Sequence, residues 1–194
     1  MVYADILRPT VRRSALLYDA ALVLAGSLLI AISAQVAVLL PFSPVLVTGQ
    51  TFAVLLVGAL LGSRRGSLAV MAYIAQGLAG LPVFAGGAFG LARLFGPTGG
   101  YLVGFVAAAF LVGLLAERGW DRRVLTTAAA MALGNVIIYM IGALWLAPFV
   151  GGLDQALAVG VAPFIPGDLV KIVAAALLLP AGWRLLGWTS RRPG

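Results

Sequence analysis

Two charged residues stand where the chain is otherwise apolar: Asp168 and Lys171, in Phe164-Ile165-Pro166-Gly167-Asp168-Leu169-Val170-Lys171, at the head of the apolar run 172–180. Each would cost about 2.5–3.5 kcal/mol at the centre of a membrane helix, so something must compensate them. A spacing of three puts both on one helix face. Pro166 and Gly167 end the preceding chain and leave Asp168 in a first turn, where the helix dipole favours a carboxylate. Two chemistries fit. The pair can neutralise itself as an internal staple, or it can hold a ligand that carries N–H groups for Asp168 and a carboxylate for Lys171.

The elements that must position such a pair are membrane helices. The chain of 194 residues is 62% hydrophobic and only 10% charged, with a mean hydropathy of +1.10, far from the roughly 25% charged residues of soluble domains. A spanning helix takes about 20 residues, so five to seven spans fill the chain as one compact bundle. The formal charge of +7 comes from basic residues between apolar runs, a topological bias rather than a nucleic-acid surface. Cys and His are both absent, which removes thiol nucleophiles and the commonest metal ligand. No phosphate loop, zinc-protease motif or serine-hydrolase elbow is present, so the chain reads as a non-enzyme.

Along the chain the pattern gives an all-α integral membrane protein, a single membrane domain of six spans at approximately 15–40, 48–62, 66–81, 99–117, 124–150 and 166–184. The first run exceeds a secretory h-region of roughly 7–15 residues and reads as a retained span. Asp19 near its start is expected to pair with a neighbouring arginine. Ala21-x-x-x-Ala25 makes a small-residue face suited to close helix contact. Thr48-Gly49-Gln50-Thr51 opens a short second span, and irregular backbone at membrane depth is tolerated only where it is buried or lines a cavity. The connector 82–98 is apolar and rich in Gly and Pro, and is expected to fold back as a cap. Asn135 and Tyr139 lie four apart on one face of span five. Arginines at the N-terminus, at 64 and 65, at 118, 122 and 123, and in the tail fall on one side, and only Arg93 falls on the other. Both termini are therefore expected in the cytoplasm.

On that topology Thr48, Gln50, the cap, Tyr101 and Asp168 all gather at the outer face. They suit a pocket for a small amphipathic acid, with Phe84 and Tyr101 as aromatic walls.

Four ordered motifs carry a resemblance over nearly the whole chain: Pro44-x-x-x-Thr48-Gly-Gln50-Thr-Phe52, Gly80-Leu-Pro-Val-Phe84-Ala-Gly-Gly87, Gly96-Pro-Thr-Gly-Gly-Tyr101-Leu-x-Gly-Phe105 and Pro166-Gly-Asp168-Leu-x-Lys171. With these the chain resembles the BioY family, the biotin-specific S-components of energy-coupling-factor (ECF) transporters. The resemblance implies a six-helix S-component in a bacterial or archaeal cell membrane that captures biotin from outside and needs no cofactor of its own. It implies a transmembrane T-component and two cytoplasmic ATPases as partners, with Ala21 and Ala25 on the partner face. It implies substrate-binding positions at Asp168, Lys171, Tyr101, Thr48, Gln50, Phe84, Gly99 and Gly100. Biotin offers ureido N–H groups for Asp168 or an amide, an apolar ring for the aromatics and a carboxylate for Lys171. Leu46 stands where the family pattern has a second proline. Arg93 either competes with Lys171 for the carboxylate or faces water. The alternative from another class is a solitary or ion-gradient-driven transporter of biotin or another small carboxylic acid, for which repeated halves are expected; no internal repeat is apparent.

Overall fold

The computed structural model describes residues 1–187, and the tail arginines 191 and 192 lie outside the described residues. The chain is mostly helical. A short α1 (Tyr3–Ile6) precedes α2 (Arg12–Gln35), and then come α3 (Gln50–Leu78), α4 (Leu91–Phe95), α5 (Gly99–Glu117), α6 (Val124–Val150), α7 (Leu153–Gly160) and α8 (Ile165–Leu185). Five helical stretches are long and apolar enough to cross a membrane: α2, α3, α5, α6 and the succession Leu153–Leu185. The chain is a multi-pass membrane protein.

α2 stops at Gln35, short of the expected Leu40, because the β-branched residues that follow leave helical backbone. Ala37–Val38 (β1) pairs antiparallel with Val47–Thr48 (β2), with Ala37 opposite Thr48. This small ribbon, unforeseen from the sequence, anchors the loop in front of α3.

α3 carries the main topological surprise. Its helical assignment runs through both segments read as separate spans, yet Gly62 within it has φ 86° and ψ 176°. In a straight helix Gly58 and Gly66 would be about 12 Å apart at 1.5 Å per residue. Instead, a Cβ on Gly66 would lie 2.8 Å from the Gly58 Cα. The chain therefore reverses at Gly62, and α3 is a hairpin of two antiparallel arms. Glu117 from α5 closes the bend, its Oε1 accepting from the Ser63 N–H at 2.7 Å and the Ser63 hydroxyl at 2.9 Å. A carboxylate at the start of the second arm meets unpaired N–H groups and the positive end of the helix dipole.

The core lies where the hairpin meets α5, with α6 behind α5 and α2 against the hairpin. Small residues set these distances. A Cβ on Gly113 would come within 2.4 Å of the Gly62 carbonyl carbon, and one on Gly58 within 2.7 Å of Ala109 O.

Polar contacts divide the bundle into two ends. At one, Arg8 pairs with Asp19 at 2.7 Å, so the carboxylate has the neighbouring arginine expected for it. Arg65 there reaches Asp5 at 2.5 Å and Asp19 at 3.3 Å, and the Met1 amine donates to Glu117 O. At the other end Gln35 donates to Val83 O and Phe84 O, Ser43 to Val159 O and Trp145 to Gly96 O. The connector 82–98 is thereby folded down onto the bundle as a cap.

Candidate substrate-binding site

Beneath the cap lies a cavity with about 620 Å³ of empty space, inside the roughly 300–1,000 Å³ range of small-molecule sites. Val45, Leu46 and Thr48 of the ribbon loop form one wall, and Gln50, Thr51 and Tyr73 of the α3 hairpin the next. Phe84, Ala85 and Arg93 come from the cap, Tyr101, Leu102 and Phe105 from α5, and Ile138 and Tyr139 from α6; Phe164 stands ahead of α8.

Each polar wall residue is held by a neighbour. The Gln50 Nε2 donates to the Tyr73 hydroxyl at 2.6 Å, and the Thr48 hydroxyl donates to Gln50 Oε1 at 3.2 Å while accepting from the Gln50 N–H. The Tyr101 hydroxyl donates to Gly160 O at 2.7 Å. Tyr101 therefore offers the cavity a ring face, its polar atom being occupied. Gly142 and Gly160 make room for that side chain, since a Cβ on either would approach its atoms within 2.5 Å. Phe84 is held edge-on against Tyr73, centroids 5.6 Å apart, over the bare backbone of Gly77.

Asp168 and Lys171 are arranged differently from the expectation. The Lys171 ammonium has three protons, and the three nearest acceptors take them: Asp168 Oδ1 at 2.7 Å, Thr51 Oγ1 at 2.8 Å and Thr48 O at 2.8 Å. Asp168 Oδ1 also accepts from the Thr51 hydroxyl at 3.0 Å, and Oδ2 from the Tyr139 hydroxyl at 2.5 Å. The Asp168 side chain is only 4% exposed. Neither residue lines the cavity, which is separated from the pair by Thr48, Thr51 and Tyr139. Of the two chemistries open in the sequence, the geometry here is that of the staple, tying α8 to the start of α3. It is a staple set directly behind a cavity wall, not one in a featureless interior.

Gly99 and Gly100 are also displaced from the expected lining. A Cβ on Gly99 would lie 1.7 Å from Leu94 O, and one on Gly100 2.2 Å from Trp145 Cβ. They permit close contact of α5 with the cap and with α6. Thr48, Gln50, Phe84 and Tyr101 do meet around the cavity, joined by Thr51, Tyr73, Phe105, Tyr139 and Arg93, which the site reading lacked. Tyr139 had a signal, being a polar residue at helical spacing from Asn135. Asn135 itself borders a smaller hollow beside Lys171. Ala21 and Ala25 are far from this site, on the exposed face of α2.

A capped cavity with aromatic and polar walls, enclosed by membrane-length helices, defines a solute-binding membrane protein rather than an enzyme. The architecture is similar to the solved S-component for biotin from an ECF-type ABC transporter, with a TM-score of 0.80 and 25% identity over 91% of this chain and 95% of that one. The BioY family profile matches residues 8–188, and the chain belongs to the BioY family. Its relatives include the probable biotin transporter BioY of Pyrococcus horikoshii, 42% identical over 77% of this chain and 86% of that protein. The biotin transporter BioY of Thermotoga maritima is 43% identical over 72% and 81%, and that of Rhizobium etli 40% over 79% and 86%.

Proposed function

We propose that this chain is a biotin-binding S-component that captures its substrate from the extracellular side, for uptake powered by a T-component and two cytoplasmic ATPases. The observation that carries the reading is the capped cavity, found in a chain whose relatives are named biotin transporters. Its walls match biotin in kind. Aromatic faces suit the thioether ring, and the oxygens of Thr48, Gln50 and Tyr139 can accept from ureido N–H groups. Asp168 and Lys171 act on this site through Thr48, Thr51 and Tyr139.

The α3 hairpin supports a topology of six traversals within one membrane domain, since each arm crosses part of the bundle. The arginine-rich end then faces the cytoplasm of a bacterial or archaeal cell, and the capped end faces outward. Ala21 and Ala25, exposed among Leu17, Leu24 and Leu28, supply the small-residue face for the T-component.

The test is calorimetric titration of the purified chain with biotin, with other small carboxylic acids as competitors. Saturable one-to-one binding that the competitors fail to displace is expected, and absence of binding refutes the reading. The partner face is tested by Ala21→Trp, which should keep biotin binding and abolish co-purification with a T-component. Retained assembly moves the interface elsewhere.

A further inference from the structure

The cavity's charge does not come from the lysine that the sequence pointed to. Lys171 has all three protons engaged by Thr48, Thr51 and Asp168. Among the lining side chains the one cation is Arg93, and none is a carboxylate. The guanidinium carries five N–H donors, and the hydrogen bond found for it is a long one, 3.4 Å from Nη2 to Ala85 O. A cation in a largely apolar enclosure, with no anion beside it and most of its donors uncommitted, is poised for one.

We propose that Arg93 receives the carboxylate of the solute. This rests on the reading of the cavity as the biotin site and deepens it, since it sets the orientation of the ligand. The carboxylate end lies under the cap, the apolar ring lies against Phe84 and Tyr101, and the N–H-bearing end reaches Thr48, Gln50 and Tyr139. Planar guanidinium and planar carboxylate can share two parallel hydrogen bonds. Arg93 stands on α4 within the cap, and Ala85 lies at the other side of that connector. An acid held by Arg93 therefore ties the cap to the cavity contents, so that recognition of the charge and closure of the cap are one event.

The experiment compares biotin with its neutral carboxamide on the purified full chain. Four proteins are titrated: wild type, Arg93→Gln, Arg93→Lys, and the double variant Asp168→Asn/Lys171→Met. Wild type should prefer the acid by on the order of 10- to 100-fold, the scale of a hydrogen bond to a charged group. Arg93→Gln should bring that ratio close to one by weakening the acid alone. Arg93→Lys should keep a reduced preference, because the charge remains while the fork is lost. The double variant should keep the ratio even where it weakens both ligands. Equal affinity of wild type for the two ligands overturns the proposal, as does a ratio that survives Arg93→Gln or collapses only in the double variant. If wild type binds neither ligand, the biotin reading itself falls, a different outcome. Should Arg93→Gln fail to elute as a folded species, the wild-type and Arg93→Lys ratios still decide.

Discussion

Gln50 and Tyr73 belong to one assigned helix, are 23 residues apart, and are joined side chain to side chain at 2.6 Å. In a straight helix that separation would be about 35 Å. The bond therefore spans the mouth of the α3 hairpin, and both residues line the cavity. Tyr73→Phe keeps the ring against Phe84 and deletes the hydroxyl, leaving the buried Gln50 amide without its acceptor. The expected cost is about 1–3 kcal/mol of stability, read as a lowered Tm in detergent. Biotin affinity should fall as well, because Gln50 loses its fixed orientation. A variant with unchanged Tm and affinity would show that the hairpin holds its mouth by other means.

The bend itself depends on a missing side chain. The Gly62 backbone, at φ 86° and ψ 176°, occupies a region open essentially to glycine alone, where other residues cost about 1–3 kcal/mol. A Cβ there would also press to 2.7 Å from Glu117 Oε1, the atom that caps the second arm. Gly62→Ala should lower Tm and the yield of monodisperse protein. Glu117→Gln, which weakens the cap and leaves the backbone alone, should do less. The reverse order would assign the bend to Glu117.

The pair behind the cavity wall predicts a non-additive cycle. Lys171→Met leaves Asp168 buried with no charged partner, a loss of about 3–5 kcal/mol when a buried pair is broken from one side. Asp168→Asn added to it removes the stranded charge and should recover much of that loss. Thermal unfolding of the two single variants and the double variant measures the coupling. Simple additivity would mean that the two charges do not sense each other.

Acid should loosen the opposite end. Burial alone would raise the Asp5 carboxyl, but the Val2 N–H and the Arg65 guanidinium outweigh it and hold the group below the usual carboxylate range. A depressed folded value means that the contribution is present above the unfolded value of about 3.9. It is lost as pH falls through the lower folded value. Wild type should therefore lose stability between roughly pH 4 and the acid limit more steeply than Asp5→Asn, in paired Tm-against-pH curves. Identical slopes would place the acid sensitivity on other carboxylates.

Much of this protein is legible in its residues, for reasons that differ from one feature to another. Membrane character follows from composition. The turn ahead of α8 follows from Pro166 and Gly167, and the family follows from four motifs in order. The small ribbon of Ala37–Val38 with Val47–Thr48 was hidden because two-residue strands leave no periodic signal. The hairpin was half visible: the two apolar segments could be seen, but not that they fold closely against each other at Gly62, since a positive φ has no marker beyond glycine itself.

What the sequence by itself determined is what local chemistry suffices to decide: which segments prefer lipid, where arginines collect, and which residues break helices. Only the tertiary structure decided which cation meets the cavity. Thr48 and Lys171 are 123 positions apart, and Thr51 and Asp168 are 117, so no spacing rule could foresee that these contacts would occupy Lys171 and leave the guanidinium of Arg93 facing the cavity. Hydrogen-bonding capacity is finite, and how it is divided is settled by three-dimensional proximity, which a linear pattern does not carry.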